Sequence, residues 1–394
     1  MNPVNNPYTP GAGSPPPELA GREEIISTTR VSFERLIKAR STQNLTLIGL
    51  RGVGKTVLLD KLKSVAEELG MTTLRIEAPE NKSLPALLAP EIRKALLKLS
   101  RVELAKDLAL RALKGLAGFV KALKIKYADI EVGLDYEPEK GLADNGDLEL
   151  DLKDLMEAAA SAAKAAGTGI VIFIDELQYV DEGQMGALIT SLHACSQKQL
   201  PVLMVGAGLP QLRGKMGQAK SYSERLFSFR EIGPLQKEDA RKAIVNPAKE
   251  EGVEFEDDAL EEIVSVTGCY PYFIQEWGKH TWEVADASPI KLKDVKSASK
   301  LAVATLDESF FRVRFDRMTP SEKEYLRAMA ELGKGPYKSG EIAKVLNRTV
   351  SSLGPVRSSI IKKGMIWSPN YGDTDFTVPL FDEFMKRIMP DFKS

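Results

Sequence analysis

The sequence predicts an α/β fold: a parallel sheet first, then a helical region, then a small unit of helices closed by a hairpin. Three observations carry that prediction. Apolar runs at 45–48, 170–174 and 202–205 read as strands, and those at 170–174 and 202–205, which do not alternate, as strands buried on both faces. Stretches of helical periodicity separate them, which is the pattern of βαβ units with right-handed crossovers. Beyond residue 237 the periodicity turns helical, and from 319 onward compact helices lead into a short hairpin.

At 394 residues the chain exceeds one ordinary core and predicts several domains. Residues 1–18 form an arm, expected to be extended and flexible, because Pro3, Pro7, Pro10 and the run 15–17 exclude helix and sheet. The α/β core is expected over 19–235. It should begin with a short amphipathic helix at 32–39, a strand at 45–48, a glycine-rich turn, a helix at 56–69 and a strand at 72–78. Residues 84–124 carry Leu, Ala and Lys at helical spacing, which says helix and nothing more. With the alternating segment 127–136 and the acidic segment 144–157 they read as an insertion over about 84–150, closed by a polar connection. A helical domain follows over 236–315. The last domain, 316–394, predicts helices at 320–332, at 339–346 with Ser339 as N-cap, and one ending at Lys363 before Gly364. Pro355 is expected in a first helical turn. Segments 365–368 and 376–378, joined through Asn370, Tyr371 and Gly372, make the hairpin.

Composition narrows the functional classes. A hydrophobic fraction of 43% and a charged fraction of 28% fit a soluble protein, and no apolar run reaches the length of a membrane span. The amino terminus has neither the basic flank nor the apolar stretch of a secretory signal, so a cytoplasmic location is expected. Cys195 and Cys269 lie far apart without a CxxC partner, which argues against a zinc or disulfide framework. A net charge of -1 announces no nucleic-acid partner, so local patches must carry that argument.

The strongest motif is Gly49, Leu50, Arg51, Gly52, Val53, Gly54, Lys55, Thr56, an ungapped GxxxxGK[ST] between a predicted strand and a helix continuing with Val57. Its glycines let backbone N–H groups close around phosphates, and the helix N-terminus adds its positive dipole end. Lys55 should reach the β- and γ-phosphates of ATP, and Thr56 should ligate Mg²⁺. Asp175 and Glu176 end the 170–174 strand, where open α/β sheets place their chemistry. Beside a phosphate loop, Asp175 would hold Mg²⁺ and Glu176 would orient or deprotonate the attacking water. Gln178, two residues on, serves either water or the next helix as a cap.

Together Gly49 to Thr56, the run IVIFIDE at 170–176 and LAGRE at 19–23 resemble the AAA+ P-loop ATPases. The order of ATPase core, helical lid and C-terminal winged helix is similar to the Orc1/Cdc6-like initiators and to archaeal-type and STAND switch ATPases. That resemblance implies Gly21 and Arg22 beside the adenine, and a GxP element, Gly268 to Pro271, whose Pro271 packs on the base. Two departures follow. Strand 202–205 runs into Gly206, Ala207 and Gly208 where the family presents a polar sensor, with Gln211 the nearest polar side chain, and the lid lacks the usual arginine sensor. Slow hydrolysis and a switch rather than a motor are therefore expected. The family's trans-acting arginine falls on 222–235. Arg225 fits it better than Arg230, which alternates with strand residues, and an ordinary surface arginine is the plain alternative.

Within the last domain Arg348, Arg357, Lys362 and Lys363, with Lys344, form a stretch with no acid among them, a face suited to phosphates of double-stranded DNA. Asp373 and Asp375 on the hairpin oppose it. The expected function is thus an ATP- and ADP-binding switch ATPase that positions a DNA-binding winged helix, with a homo-oligomer as one expected setting. The rival is a STAND-like switch whose winged helix binds a protein. A small-molecule kinase would need an acceptor site that no motif supplies.

Overall fold

The computed structural model describes residues 1–11, 13–79, 83–125 and 136–392. In chain order the first region holds α1 (Glu23–Ile37), β1 (Asn44–Ile48), α2 (Lys55–Glu68), β2 (Thr72–Glu77), α3 (Leu84–Leu99), α4 (Lys106–Ala122), α5 (Leu148–Ala165), β3 (Ile170–Asp175), α6 (Glu182–Gln197), β4 (Val202–Gly208), α7 (Leu212–Ala219), α8 (Ser223–Leu226) and β5 (Phe227–Glu231). Its strands form one sheet in the order β2-β3-β4-β1-β5, with every neighbouring pair parallel.

Alternation of side chains across β3 divides the core into two layers. Val171 and Phe173 face α1 and α2, meeting Phe33, Leu58 and Leu62, while Ile170, Ile172 and Ile174 face α5 and α6, meeting Leu155 and Leu188. All of β1, β3 and β4 is buried, which is why these strands read as continuous apolar runs. Edge strand β5 exposes Arg230 and Glu231.

The acidic segment 144–157 is not a connection throughout. Helix α5 starts at Leu148, with the Asp147 carboxylate accepting the Leu150 N–H. Asp151 is fully buried and accepts the N–H groups of Asn145 and Gly146, so acids that read as a solvated run secure the helix start. The strand expected at 127–136 lies, up to residue 135, outside the described residues.

Helices α9 (Lys237–Glu250), α10 (Asp257–Thr267), α11 (Pro271–Val284) and α12 (Leu292–Thr305) pack around Phe273, Trp277 and Trp282. A π-helical turn, Leu306–Phe311, leads directly into α13 (Arg312–Asp316). Then come α14 (Pro320–Glu331), β6 (Tyr337–Lys338), α15 (Ser339–Val345), α16 (Val350–Lys362), β7 (Ile366–Trp367), β8 (Asp373–Phe376) and α17 (Phe381–Ile388), with the three strands antiparallel in the order β6-β8-β7. Phe311 and Phe315 pack on Phe384 with ring centroids 5.3 and 5.8 Å apart, so the expected border at 315/316 passes through a packed aromatic cluster. Three local expectations shift. Lys338, not Ser339, is the N-cap of α15, its N–H held by Glu341. Pro355 lies in the second turn of α16, at a position where the missing N–H costs one helical hydrogen bond. The second hairpin strand begins at Asp373 instead of 376.

Residues 1–11 are ordered against the helical region. Tyr8 is buried, donates its hydroxyl proton to the Ile244 carbonyl at 2.5 Å, and fills a slot at Gly278, where a Cβ would stand 2.6 Å from the ring. The Thr9 N–H donates to the Gln275 side chain, and the Trp282 indole donates to the Asn2 carbonyl. Proline does keep this segment out of regular structure apart from one 3-10 turn, Pro3–Asn5, but the preset backbone is docked rather than free. No helix among the described residues is long and apolar enough to cross a membrane.

Candidate nucleotide site

The end of β1 and the start of α2 shape the loop from Gly49 to Thr56. At Gly49 a Cβ would lie 2.1 Å from the Ile232 carbonyl oxygen, so glycine is required there by the neighbouring chain after β5. Gly54 has φ +87° and precedes α2 directly, leaving the first N–H groups of that helix facing a cleft of about 480 Å³. Gly52, Val53, Gly54, Lys55, Thr56 and Val57 line this cleft, while Gly49 stands behind it. The Lys55 ammonium donates to the Leu50 carbonyl at 2.8 Å. Burial pulls its pKa down to about 8, opposed by the charges of Glu176 and Asp175.

Across the loop, β3 delivers two carboxylates with different surroundings. Asp175 is buried; one oxygen accepts the Glu176 N–H at 2.9 Å and the other lies 3.4 Å from the Arg75 guanidinium, itself held by Asp60 at 2.7 Å. Glu176 takes a left-handed backbone conformation, φ +51°, unusual for a side chain with a Cβ and typical of strained functional positions. It lines the cleft, 3.7 Å from the Arg51 guanidinium. Gln178 donates to Glu176 and accepts the Leu209 N–H at 3.1 Å, tying the ends of β3 and β4 together. It therefore serves the carboxylate where β4 supplies only Gly206 and Gly208. Gln211, the polar residue closest in sequence, has a buried side-chain oxygen without a partner.

The base side of the cleft is less regular. Arg22 lines it and donates to the Val53 and Gly233 carbonyls at 3.3 and 2.7 Å; Gly21 faces Asp239 and is not among the lining residues. Pro271 lines it as the first residue of α11, and the Tyr272 N–H donates to the Gly52 carbonyl at 3.1 Å, joining the helical region to the loop. Sequence reasoning missed the arm residues Thr9, Pro10, Gly13 and Ser14, and also Phe310 and Arg314, all of which line the cleft. Density of proline in the arm was the one available signal, since a preset backbone can be docked at low entropic cost. Arg225 is exposed on α8 and does not line the cleft of its own chain.

Loop donors, a helix N-terminus and a lysine folded back on the loop, with Glu176 on the cleft and Asp175 buried next to it, suit a nucleoside triphosphate with a divalent cation. Thr56 and Asp175 are the residues that would hold that cation.

The basic stretch of the last domain is divided by its partners. Arg357 donates to Thr374 at 2.9 Å, to the Asp373 carbonyl at 2.9 Å and to Ser368. Lys363 binds buried Glu322 at 2.7 Å and the Arg317 carbonyl at 2.9 Å. Arg348 stands 3.5 Å from Glu324, and Lys362 is exposed. Asp373 is held below the usual carboxylate range by hydrogen bonds from Lys338 and Asn370. The same domain touches the phosphate loop: the Arg51 N–H donates to the Thr377 carbonyl at 3.1 Å, and its guanidinium to the Gly364 carbonyl at 3.4 Å and to the Tyr179 hydroxyl at 2.9 Å.

Fold and site together are those of a P-loop nucleotide-binding core. Residues 18–205 match the AAA ATPase domain, and residues 308–385 match a domain of unknown function, DUF8462. An uncharacterized HTH-type transcriptional regulator of Methanocaldococcus jannaschii is 23% identical over 344 residues, covering 84% of this chain and 80% of the relative. The Walker-type ATPase of Pyrococcus abyssi shares the fold, with a TM-score of 0.57 at 17% identity over 93% of this chain and 96% of that one. The Orc1 protein of Aeropyrum pernix, solved in complex with DNA, superposes with a TM-score of 0.49 at 15% identity, covering 94% of both chains.

Proposed function

We propose that this chain is a slow ATP-hydrolysing switch in which the state of the nucleotide governs the C-terminal unit, residues 316–394, acting as a winged helix on double-stranded DNA. The observation that carries the reading is the contact of Arg51 with Thr377 and Gly364: a residue of the phosphate loop hydrogen-bonds the base of the hairpin, so a change in the loop is felt there directly. In this reading Lys55 meets the phosphates and Glu176, aligned by Gln178, takes the proton from the attacking water. Mg²⁺, when bound by Thr56 and Asp175, neutralises phosphate charge. Arg22 and Pro271 border the base, and Arg225 serves a neighbouring subunit if the chain oligomerises. Duplex DNA is favoured by the HTH-type regulator among the relatives and by the element order helix, strand, two helices and hairpin.

One observation supports a second reading, a protein-binding switch: Arg357 and Lys363 already satisfy internal partners, which leaves fewer free cations than the stretch suggests. A titration of the full chain with duplex DNA, with ATP, with ADP and without nucleotide, separates the two. DNA affinity that falls with salt and changes with nucleotide supports the first. Absence of DNA binding at low salt in every nucleotide state, with ATP hydrolysis intact, overturns it in favour of the second.

A further inference from the structure

Three arginines line the nucleotide cleft, and two of them are committed. Arg22 serves the Val53 and Gly233 carbonyls, and Arg51 serves Tyr179, Gly364 and Glu176. The third, Arg314, comes from α13, after the π-helical turn. Its hydrogen-bond acceptor among the described residues is the Phe310 carbonyl, four residues back in its own chain, and no carboxylate of the described residues pairs with it. Its guanidinium lies 4.0 Å from the centroid of the Phe310 ring. Phe310 is stacked on Tyr272 at 4.7 Å and 24°, and Tyr272 is fastened to Gly52 of the phosphate loop. The arginine is thus held on an aromatic platform built from the helical region, with most of its planar fork of N–H donors uncommitted. A half-buried guanidinium that no carboxylate of the described residues pairs directly is compensated when an anion enters the same cleft, and the fork geometry suits phosphate oxygens. Burial and the nearby Arg51 charge, which lower its pKa to about 10, point the same way. Arg51 and Glu176, whose charges act on Arg314, line the same cleft.

We propose that Arg314 is a ligand of the terminal phosphate of a nucleoside triphosphate bound in the cleft of its own chain. The inference rests on the nucleotide reading of that cleft and adds to it a cation supplied from the connector between the helical region and the C-terminal unit, where no sequence motif points.

The test compares ATP with ADP on the full chain, using fluorescent analogues of each with Mg²⁺. The wild type should bind both. Arg314→Met should lower affinity for ATP about 10- to 100-fold, as loss of hydrogen bonds to a charged group does, and should change affinity for ADP by less than about threefold. Unchanged ATP affinity, or equal losses for ATP and ADP, overturns the proposal. Arg314→Lys keeps the charge and most of the packing, and decides the matter if the methionine variant loses its fold: its ATP-to-ADP affinity ratio should drop several-fold, and a wild-type ratio overturns the proposal. A wild-type chain that binds neither nucleotide defeats the nucleotide reading itself, and the inference with it.

Discussion

The phosphate loop and the third helix of the C-terminal unit, α16, both announce themselves in sequence as sites for phosphate, and the structure treats them differently. The loop presents a fixed backbone to an open cleft, and the Lys55 ammonium donates to a carbonyl of that same loop. Along α16 the cations answer to acids and carbonyls from other elements: Lys363 to Glu322 of α14, Arg357 to β8. A motif defined by backbone geometry contains its own partners. A run of charge does not, because its partners are supplied by residues tens of positions away, and only folding shows which charges remain free.

The sharpest test of the loop is Lys55→Ala, which should reduce ATP affinity about 30- to 1000-fold, given the strength of charge-assisted hydrogen bonds; calorimetric titration showing wild-type affinity would break the assignment. Next in size, Glu176→Gln should slow hydrolysis on the order of 100-fold while ATP binding persists, as removal of a general base does. Single-turnover measurement at saturating ATP checks it, and an unchanged rate removes Glu176 from the chemistry. Tyr8→Ala tests whether the arm belongs to the folded site: emptying the slot at Gly278 should cost about 3 kcal/mol, read from urea unfolding. A loss below about 0.5 kcal/mol would return the arm to the solvent.

The smallest effects separate the cations of α16. Lys363→Ala removes a partner from buried Glu322 and should destabilise the chain by about 1–2 kcal/mol. Lys362→Ala should leave stability untouched and, if duplex DNA binds, flatten the slope of log affinity against log salt by about one. Equal effects of both variants on the salt slope would mean that the internal pair opens on binding.

Legibility followed the same division. Strands β1, β3 and β4 were readable because burial on both faces leaves few polar positions in them, Asn44, Thr46 and Asp175 among them, and the loop because its spacing is fixed by phosphate. Helix α5 was hidden because its opening acids serve as caps, and Asp151 is buried by hydrogen bonds that composition cannot reveal. Arg314 was hidden for a related reason: its role depends on Phe310 and Tyr272, which meet only after α11 and the π-helical turn come together. The helical stretch expected over 84–124 corresponds to α3 and α4, whereas most of the acidic segment expected as a polar connection belongs to α5, which leads into β3.

The turn Leu306–Phe311 bears on movement as well as on placement. A π-helical turn is an α-helix carrying one surplus residue, a feature frequent at functional sites. Each residue of a helix is rotated about 100° from the last. If the surplus moved past Arg314, the side chain would swing by that angle out of the cleft, and α12 would remain a helix throughout.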